Sequence, residues 1–333
     1  MLNVAVIGLG FMGATHLKAW AAVPDARLAA VVDADPIRLT GDLSSAVGNL
    51  ATTETHYDFS GLRAYTTLEQ ALADPAIDAV DICLPTDRHA AAATAALRAG
   101  KHVLCEKPLA LDSDTAEELC LEAERCGRVL MGAHVLRFFP AYQQLAARLR
   151  GGEQVRSALF RRRCAAPTWG AWLSDPARSG GAIMDLLIHD IDFCVSLWGV
   201  PESVHARGDR DPQHNVDVIH AELRYPGRGP VLITGGWHHP PYPFSMEFTV
   251  VTNSGTLDWS SPMTDLREYS EGELHSIPLG DADAFAAELT YFSDCATRNV
   301  HPDACPPSQS AMAIAVAENI VKSRNSNGAK VLC

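Results

Sequence analysis

The 333-residue chain carries 27 Lys and Arg against 40 Asp and Glu, a net charge of −13, with 47% hydrophobic and 20% charged residues. Its length suits two domains rather than one core, and its acidity excludes a function resting on a basic surface, so neither nucleic acid nor an anionic membrane is an expected partner. No apolar run can span a bilayer, the chain enters a strand at once with no leader peptide expected, and nine cysteines without metal-ligand spacing read as reduced thiols of a soluble cytoplasmic protein.

In chain order, strands are predicted at Val4–Gly8, Leu28–Asp33, weakly at Ala64–Tyr65, then at Ala79–Leu84, His102–Cys105 and Val129–Val135. Helical patterns fill the gaps at Gly13–Ala22, Pro36–Val47, Thr67–Ala73, Arg88–Ala99 and Ser113–Cys126, and residues 48–62 read as a surface loop. This alternation predicts an α/β domain with a doubly wound parallel sheet over residues 1–135. Residues 136–333 read as an α+β domain: a helix at Ala141–Leu149, a strand at Val155–Arg163, a Trp/Pro/Gly-rich loop, and an apolar helix from Ala182 to Leu197. A mostly antiparallel sheet follows from Ser203 to about Tyr269. Two closing helices are predicted at Ala282–Thr297 and Ser308–Lys322.

Gly8-Leu9-Gly10-Phe11-Met12-Gly13 has the G-x-G-x-x-G spacing between a strand and a helix. Gly8 permits the tight turn, Gly10 admits a pyrophosphate close to the backbone, and Gly13 lets helix and strand pack together. Asp33 ends the next strand, about 20 residues on, where a carboxylate binds a ribose diol. That favours NAD over NADP, because a carboxylate repels a 2′-phosphate. Arg38 could soften the preference but reads as a solvated helix residue. Gly8, Gly10, Phe11, Met12, Gly13 and Asp33 are thus expected cofactor contacts, joined by Pro85 and Thr86 at the end of the fourth strand.

Glu106-Lys107-Pro108 follows a buried strand, whose carboxyl end faces the ligand crevice of an open sheet. Proline restrains Lys107 in an extended conformation, and an ammonium there can steady a developing alkoxide. The bland alternative is a surface Glu–Lys turn. Asp185 and His189, spaced i and i+4, share a helix face amid Leu186, Leu187 and Ile188, which suggests a general base and its partner. A self-satisfied core pair is the competing reading, and the adjacent Gly180-Gly181 weighs against it. Weaker candidates are Arg137 for substrate or for structural bridging between the domains, and Trp169 and Trp172 as a stacking wall or interface filler. His89 reads as a helix-start residue, Arg161-Arg162-Arg163 as a solvated strand edge, and His238-His239 lacks a third metal ligand.

Taken in order, the glycine turn, Glu106-Lys107-Pro108, Arg137-Phe138, Gly180-Gly181 with Asp185 and His189, and Asn253-Ser254-Gly255-Thr256-Leu257 resemble the glucose-fructose oxidoreductase/inositol dehydrogenase/rhizopine-catabolism (Gfo/Idh/MocA) family. The resemblance implies a Rossmann domain and an open-faced antiparallel sheet that commonly forms homodimers or homotetramers. It also implies NAD(P)-linked oxidation or reduction of a secondary carbinol in a sugar, polyol or related molecule. Carried onto this sequence it makes Lys107, Asp185 and His189 the catalytic set, and puts Glu106 and Lys107 at the nicotinamide end of the cofactor. The loop at 48–62 is longer than the family pattern. Two other readings of the resemblance are an NAD-dependent glycosidase-like hydrolase and a non-catalytic NAD-binding sensor.

Overall fold

The computed structural model describes residues 1–48 and 54–333. They divide into two compact units, Met1–Val135 with Asp283–Ala311, and Leu136–Ala282 with Met312–Cys333.

The first unit opens with β1 (Leu2–Ile7), α1 (Phe11–Trp20) and β2 (Ala26–Val32). It continues through β3 (Arg63–Tyr65), α2 (Leu68–Leu72), β4 (Ala79–Ile82), α3 (His89–Arg98), β5 (His102–Glu106), α4 (Ser113–Cys126) and β6 (Leu130–Ala133). Among the described residues the six strands form one sheet in the order β3-β2-β1-β4-β5-β6, parallel at every pairing. The strand order reverses between β1 and β4, the crevice where open α/β sheets bind ligands. Local chemistry sets the helix starts. Thr67 and Gln70 form a capping box on α2, and the Asp112 carboxylate accepts the Thr115 N–H at 2.8 Å at the head of α4, satisfying donors that a helix start leaves unpaired.

Residues 36–47, predicted helical, form instead a short 3-10 turn at Arg38–Thr40 that ends on Gly41 with φ +93°. A side chain at Gly41 would run into the Tyr57 carbonyl, so the backbone turns back there. Leu43 and Ala46 are buried against the α1 side of the core. Gly48 fits under the Phe11 ring, which an added Cβ would meet at 2.3 Å. Residues 49–53 of the predicted 48–62 loop lie outside the described residues.

The second unit contains α5 (Pro140–Arg150), β7 (Val155–Ala165), α6 (Pro176–Ser179), a π-helical turn (Ile183–Leu187) and α7 (Ile188–Trp198). Strands β8 (Ser203–Asp211), β9 (Val216–Arg224), β10 (Val231–His238), β11 (Ser245–Thr252), β12 (Thr256–Ser260), β13 (Asp265–Ser270) and β14 (Glu273–Pro278) follow. Helix α8 (Ala284–Arg298) belongs to the first unit, α9 (Pro307–Asn325) begins there and continues in the second, and β15 (Val331–Leu332) closes the chain. Among the described residues nine strands make one sheet, β14-β13-β12-β11-β7-β10-β9-β8-β15. It is antiparallel except where β10 runs parallel to β7. Tyr142, Phe193 and Phe248 pack edge to face on its buried side, with ring centres 4.9 and 5.2 Å apart.

Two expectations are corrected. Asp283–Ala311, assigned from sequence to the second domain, belongs to the first unit, because Leu289, Phe292, Cys295 and Ala296 share a core with Leu17 and Trp20. Arg161-Arg162-Arg163 is not a solvated edge. β7 pairs on both sides, and alternation along it buries Arg162 on Asp190 at 2.9 Å while Arg161 and Arg163 both reach Glu247.

Candidate active site

The glycine turn is fixed by its own packing at two positions and left open at the third. Gly8 has φ +93° and lies against the Cys83 carbonyl, and a Cβ on Gly13 would sit 2.0 Å from the Gly8 oxygen. At Gly10 an added Cβ would meet nothing within 4 Å, so the protein itself does not require glycine there. The α1 N-terminus that follows has no side-chain cap, and its dipole favours an anion. Gly10, Phe11, Met12 and Gly13 form its start, and a pyrophosphate fits that arrangement.

Asp33 sits beside the turn. Its Oδ2 accepts the Leu9 N–H at 2.7 Å and its Oδ1 the Asp35 N–H at 2.8 Å. Arg38, expected as a solvated helix residue, instead brings its guanidinium to 3.5 Å from the Asp33 carboxylate. The missing helix is the reason, since the 3-10 turn folds residue 38 back toward β2.

Pro85 and Thr86 leave β4, with Thr86 buried. His89, read from sequence as a local helix-start residue, does more. Its Nε2 lies 2.7 Å from the Leu84 carbonyl and its Nδ1 2.7 Å from the Pro108 carbonyl, so one ring joins the loops after β4 and β5. Burial holds this ring below the usual imidazole range, against the pull of both carbonyls.

Glu106 ends β5 buried, and its Oε2 accepts the Lys107 N–H at 3.1 Å. Burial alone would raise its carboxyl. The His16 ring, then Lys107 and His89, outweigh burial and hold it below the usual carboxylate range. Lys107 is half-buried, and the peptide joining it to Pro108 is cis.

In the second unit, every residue from Gly181 to Val195 is buried except Asp185 and His189, which are half-buried. The helix therefore exposes one acid and one imidazole from an otherwise sealed stretch. Asp185 lies in the π-helical turn and His189 in the first turn of α7. Such π turns are rare and concentrate at functional sites; the sequence spacing gave no sign of this one. The neighbouring acids are committed elsewhere, Asp190 to Arg162 and Asp192 to Arg137, with Asp192 receiving both Nε (2.8 Å) and Nη2 (2.6 Å) of Arg137. Arg137 and Asp192 both belong to the second unit, so this pair holds α7 within that unit and is not the bridge between domains that the sequence offered as one of two roles.

Gly180 and Gly181 have φ of +74° and +73°. What approaches Gly181 is Asp217, whose Oδ2 an added Cβ would meet at 2.8 Å. That carboxylate also accepts the Ala182 N–H at 3.1 Å and pairs with Arg324 at 2.6 Å. The glycine pair therefore serves the entry to the π turn. Trp169 and Trp172 are half-buried in the loop between β7 and α6. His238 stacks on Tyr242 at 4.6 Å.

Residues 2–134 match the family described as an oxidoreductase family with an NAD-binding Rossmann fold, and residues 142–258 match the Gfo/Idh/MocA C-terminal domain. The chain belongs to the Gfo/Idh/MocA family, and its first unit carries an NAD-binding Rossmann fold. Among curated relatives it is 36% identical over 204 residues to inositol 2-dehydrogenase 2 of Saccharopolyspora erythraea, covering 60% of this chain and 54% of that one. It is 36% identical over 134 residues to 1,5-anhydro-D-fructose reductase of Ensifer adhaerens, covering 39% and 40%. The matched stretches span about half the length of these curated relatives. The fold is similar to that of levoglucosan dehydrogenase in complex with NADH and levoglucosan, with a TM-score of 0.84 at 20% identity over 99% of each chain.

Proposed function

We propose that the protein is an NAD-dependent dehydrogenase acting on a secondary carbinol of a sugar, polyol or related small molecule. The observation that carries this is the exposure of Asp185 and His189 alone from a buried fifteen-residue stretch, in a chain whose family is one of oxidoreductases.

Gly8, Gly10, Phe11, Met12 and Gly13 hold the pyrophosphate, Asp33 the adenosine ribose, and Pro85, Thr86, Glu106 and Lys107 the nicotinamide half. When bound, NAD supplies the hydride acceptor. His189 takes the proton of the substrate hydroxyl as general base. Lys107 stabilises the alkoxide that forms as that proton leaves. Asp185 orients the hydroxyl and the imidazole. The carbinol loses one hydride and one proton and leaves as a ketone, and His189 returns its proton to solvent. Trp169 and Trp172 present apolar ring faces suited to a sugar ring. The substrate-binding chain assembles as a homodimer or homotetramer through its nine-stranded sheet. It works in the cytoplasm, a setting that suits nine cysteines without a disulfide among them.

The test is NADH formation against a panel of sugars, polyols and sugar acids, run with NAD and NADP in parallel. Turnover with NAD on a polyhydroxylated substrate is expected. Silence across the panel from protein that binds NAD would overturn the dehydrogenase reading.

A further inference from the structure

One buried residue of the first unit, His16, is not among the groups assigned to that chemistry. His16, on α1, is completely buried. Its Nδ1 lies 2.8 Å from Oδ2 of Asp81 on β4, and its Nε2 lies 3.2 Å from Oε1 of Glu106 at the end of β5, an ion-pair contact rather than an aligned hydrogen bond. The Trp20 indole N–H donates to the same Asp81 oxygen at 2.7 Å. The Cys83 sulfur is 3.5 Å from Nδ1, and from α8 the Phe285 ring approaches to 6.1 Å.

A neutral imidazole has one N–H and one lone pair. With a carboxylate oxygen facing each nitrogen, only the doubly protonated ring avoids setting a lone pair against an oxygen. The charges then alternate from Asp81 to His16 to Glu106, and the Lys107 N–H rests on the far oxygen of Glu106. His16, Asp81 and Cys83 lie close enough together to hold a metal. Asp81 already bonds to both His16 and Trp20, and burial pushes the Cys83 thiol well above its usual range, which suits an internal bridge better than a metal centre.

We propose that His16 is a positioning residue: anchored by Asp81, it bridges to Glu106 and fixes the carboxylate that supports Lys107. The proposal rests on Lys107 acting in the oxidation described above. The bridge lies beneath the nicotinamide end of the expected cofactor site, so its loss should reach turnover rather than cofactor affinity. The groups facing the ring are Asp81 and Cys83 from β4 and its exit, and Glu106 from β5, with Lys107 and His89 beyond it.

The experiment is a double-mutant cycle on kcat with His16→Asn and Glu106→Gln, joined by Asp81→Asn. His16→Asn and Glu106→Gln should each lower kcat about tenfold or more, with Kd for NAD within about threefold in His16→Asn, and the double variant should be no slower than the slower single one. Multiplying effects, or wild-type kcat in His16→Asn, would overturn the proposal. Asp81→Asn keeps the shape and removes the anchoring charge. Its kcat should fall as that of His16→Asn does, and a wild-type kcat in Asp81→Asn overturns the proposal even where His16→Asn fails to fold. Nitrogen NMR of histidine-labelled wild type at about pH 8 should show both His16 ring nitrogens protonated, and a neutral ring overturns the bridge. A doubly protonated ring in a protein that oxidises no carbinol upholds the bridge and overturns the dehydrogenase reading instead.

Discussion

Arg137 and Asp192 form a two-pronged ion pair, at 2.8 and 2.6 Å, with both side chains almost entirely shielded from solvent. Asp192 is three residues past His189, so the pair fastens α7 by its inner face. Removing one partner strands a buried charge, which costs about 3–5 kcal/mol. Arg137→Ala should therefore lower the Tm of the protein by on the order of 10 °C. Arg137→Lys, which cannot bind both oxygens in a plane, should fall between the two. A raised KM at unchanged Tm would show that Arg137 serves the substrate rather than the helix.

Lys107→Met replaces the ammonium with an apolar chain of similar length. It should lower kcat by about a hundredfold or more while leaving Kd for NAD nearly unchanged, as measured by steady-state kinetics beside a binding titration. Near-normal turnover would remove Lys107 from the reaction.

The glycine turn separates two kinds of requirement. At Gly10 an added methyl meets nothing in the protein, whereas at Gly13 it meets the Gly8 carbonyl at 2.0 Å. Gly10→Ala should keep the wild-type Tm and weaken NAD binding by about tenfold or more. Gly13→Ala should lower both, read by thermal denaturation with and without NAD. Equal loss of Tm in the two variants would contradict the open space at Gly10.

Glu247 gives the second unit an acid-sensitive contact. The hydrogen bond from Arg161, followed by the charges of Arg161 and Arg163, holds its carboxyl below its ordinary value of 4.5 despite the opposing effect of burial. A depressed carboxyl pKa means that the unfolded state binds the proton more readily. Its stabilisation is therefore complete above about pH 4.5 and is lost as the pH falls through the lower folded value. Glu247→Gln should flatten this part of the Tm-against-pH curve while leaving neutral-pH kinetics alone. An unchanged acid slope would show that the contact contributes nothing.

The sequence made the first sheet legible because its information is local. A buried parallel strand is a short β-branched run, and the crossover helices α2 and α4 begin at side chains, Thr67 and Asp112, that cap them. Residues 36–47 show the limit of that logic: their composition favours helix, yet the turn at Gly41 and the burial of Leu43 and Ala46 against the α1 side of the core take precedence. The same holds for Asp283–Ala311, whose helical pattern was plain but whose apolar face could have met either core.

At the site, the chain alone determined which chemistry is present: a dinucleotide turn with Asp33, a lysine after a buried strand, and an acid and an imidazole four residues apart. Tertiary structure decided how each is held. It turned Arg38 onto Asp33, assigned Arg162 and Arg137 to the two acids that follow His189, wound Asp185 into a π turn, and set His16 and His89 on either end of Glu106-Lys107-Pro108. Asp81 is 65 residues from His16 along the chain and 2.8 Å from it in space. Spacing in a sequence encodes neighbours along one element, whereas a buried charge finds its partner across elements, where only the packed sheet and helices fix the distance.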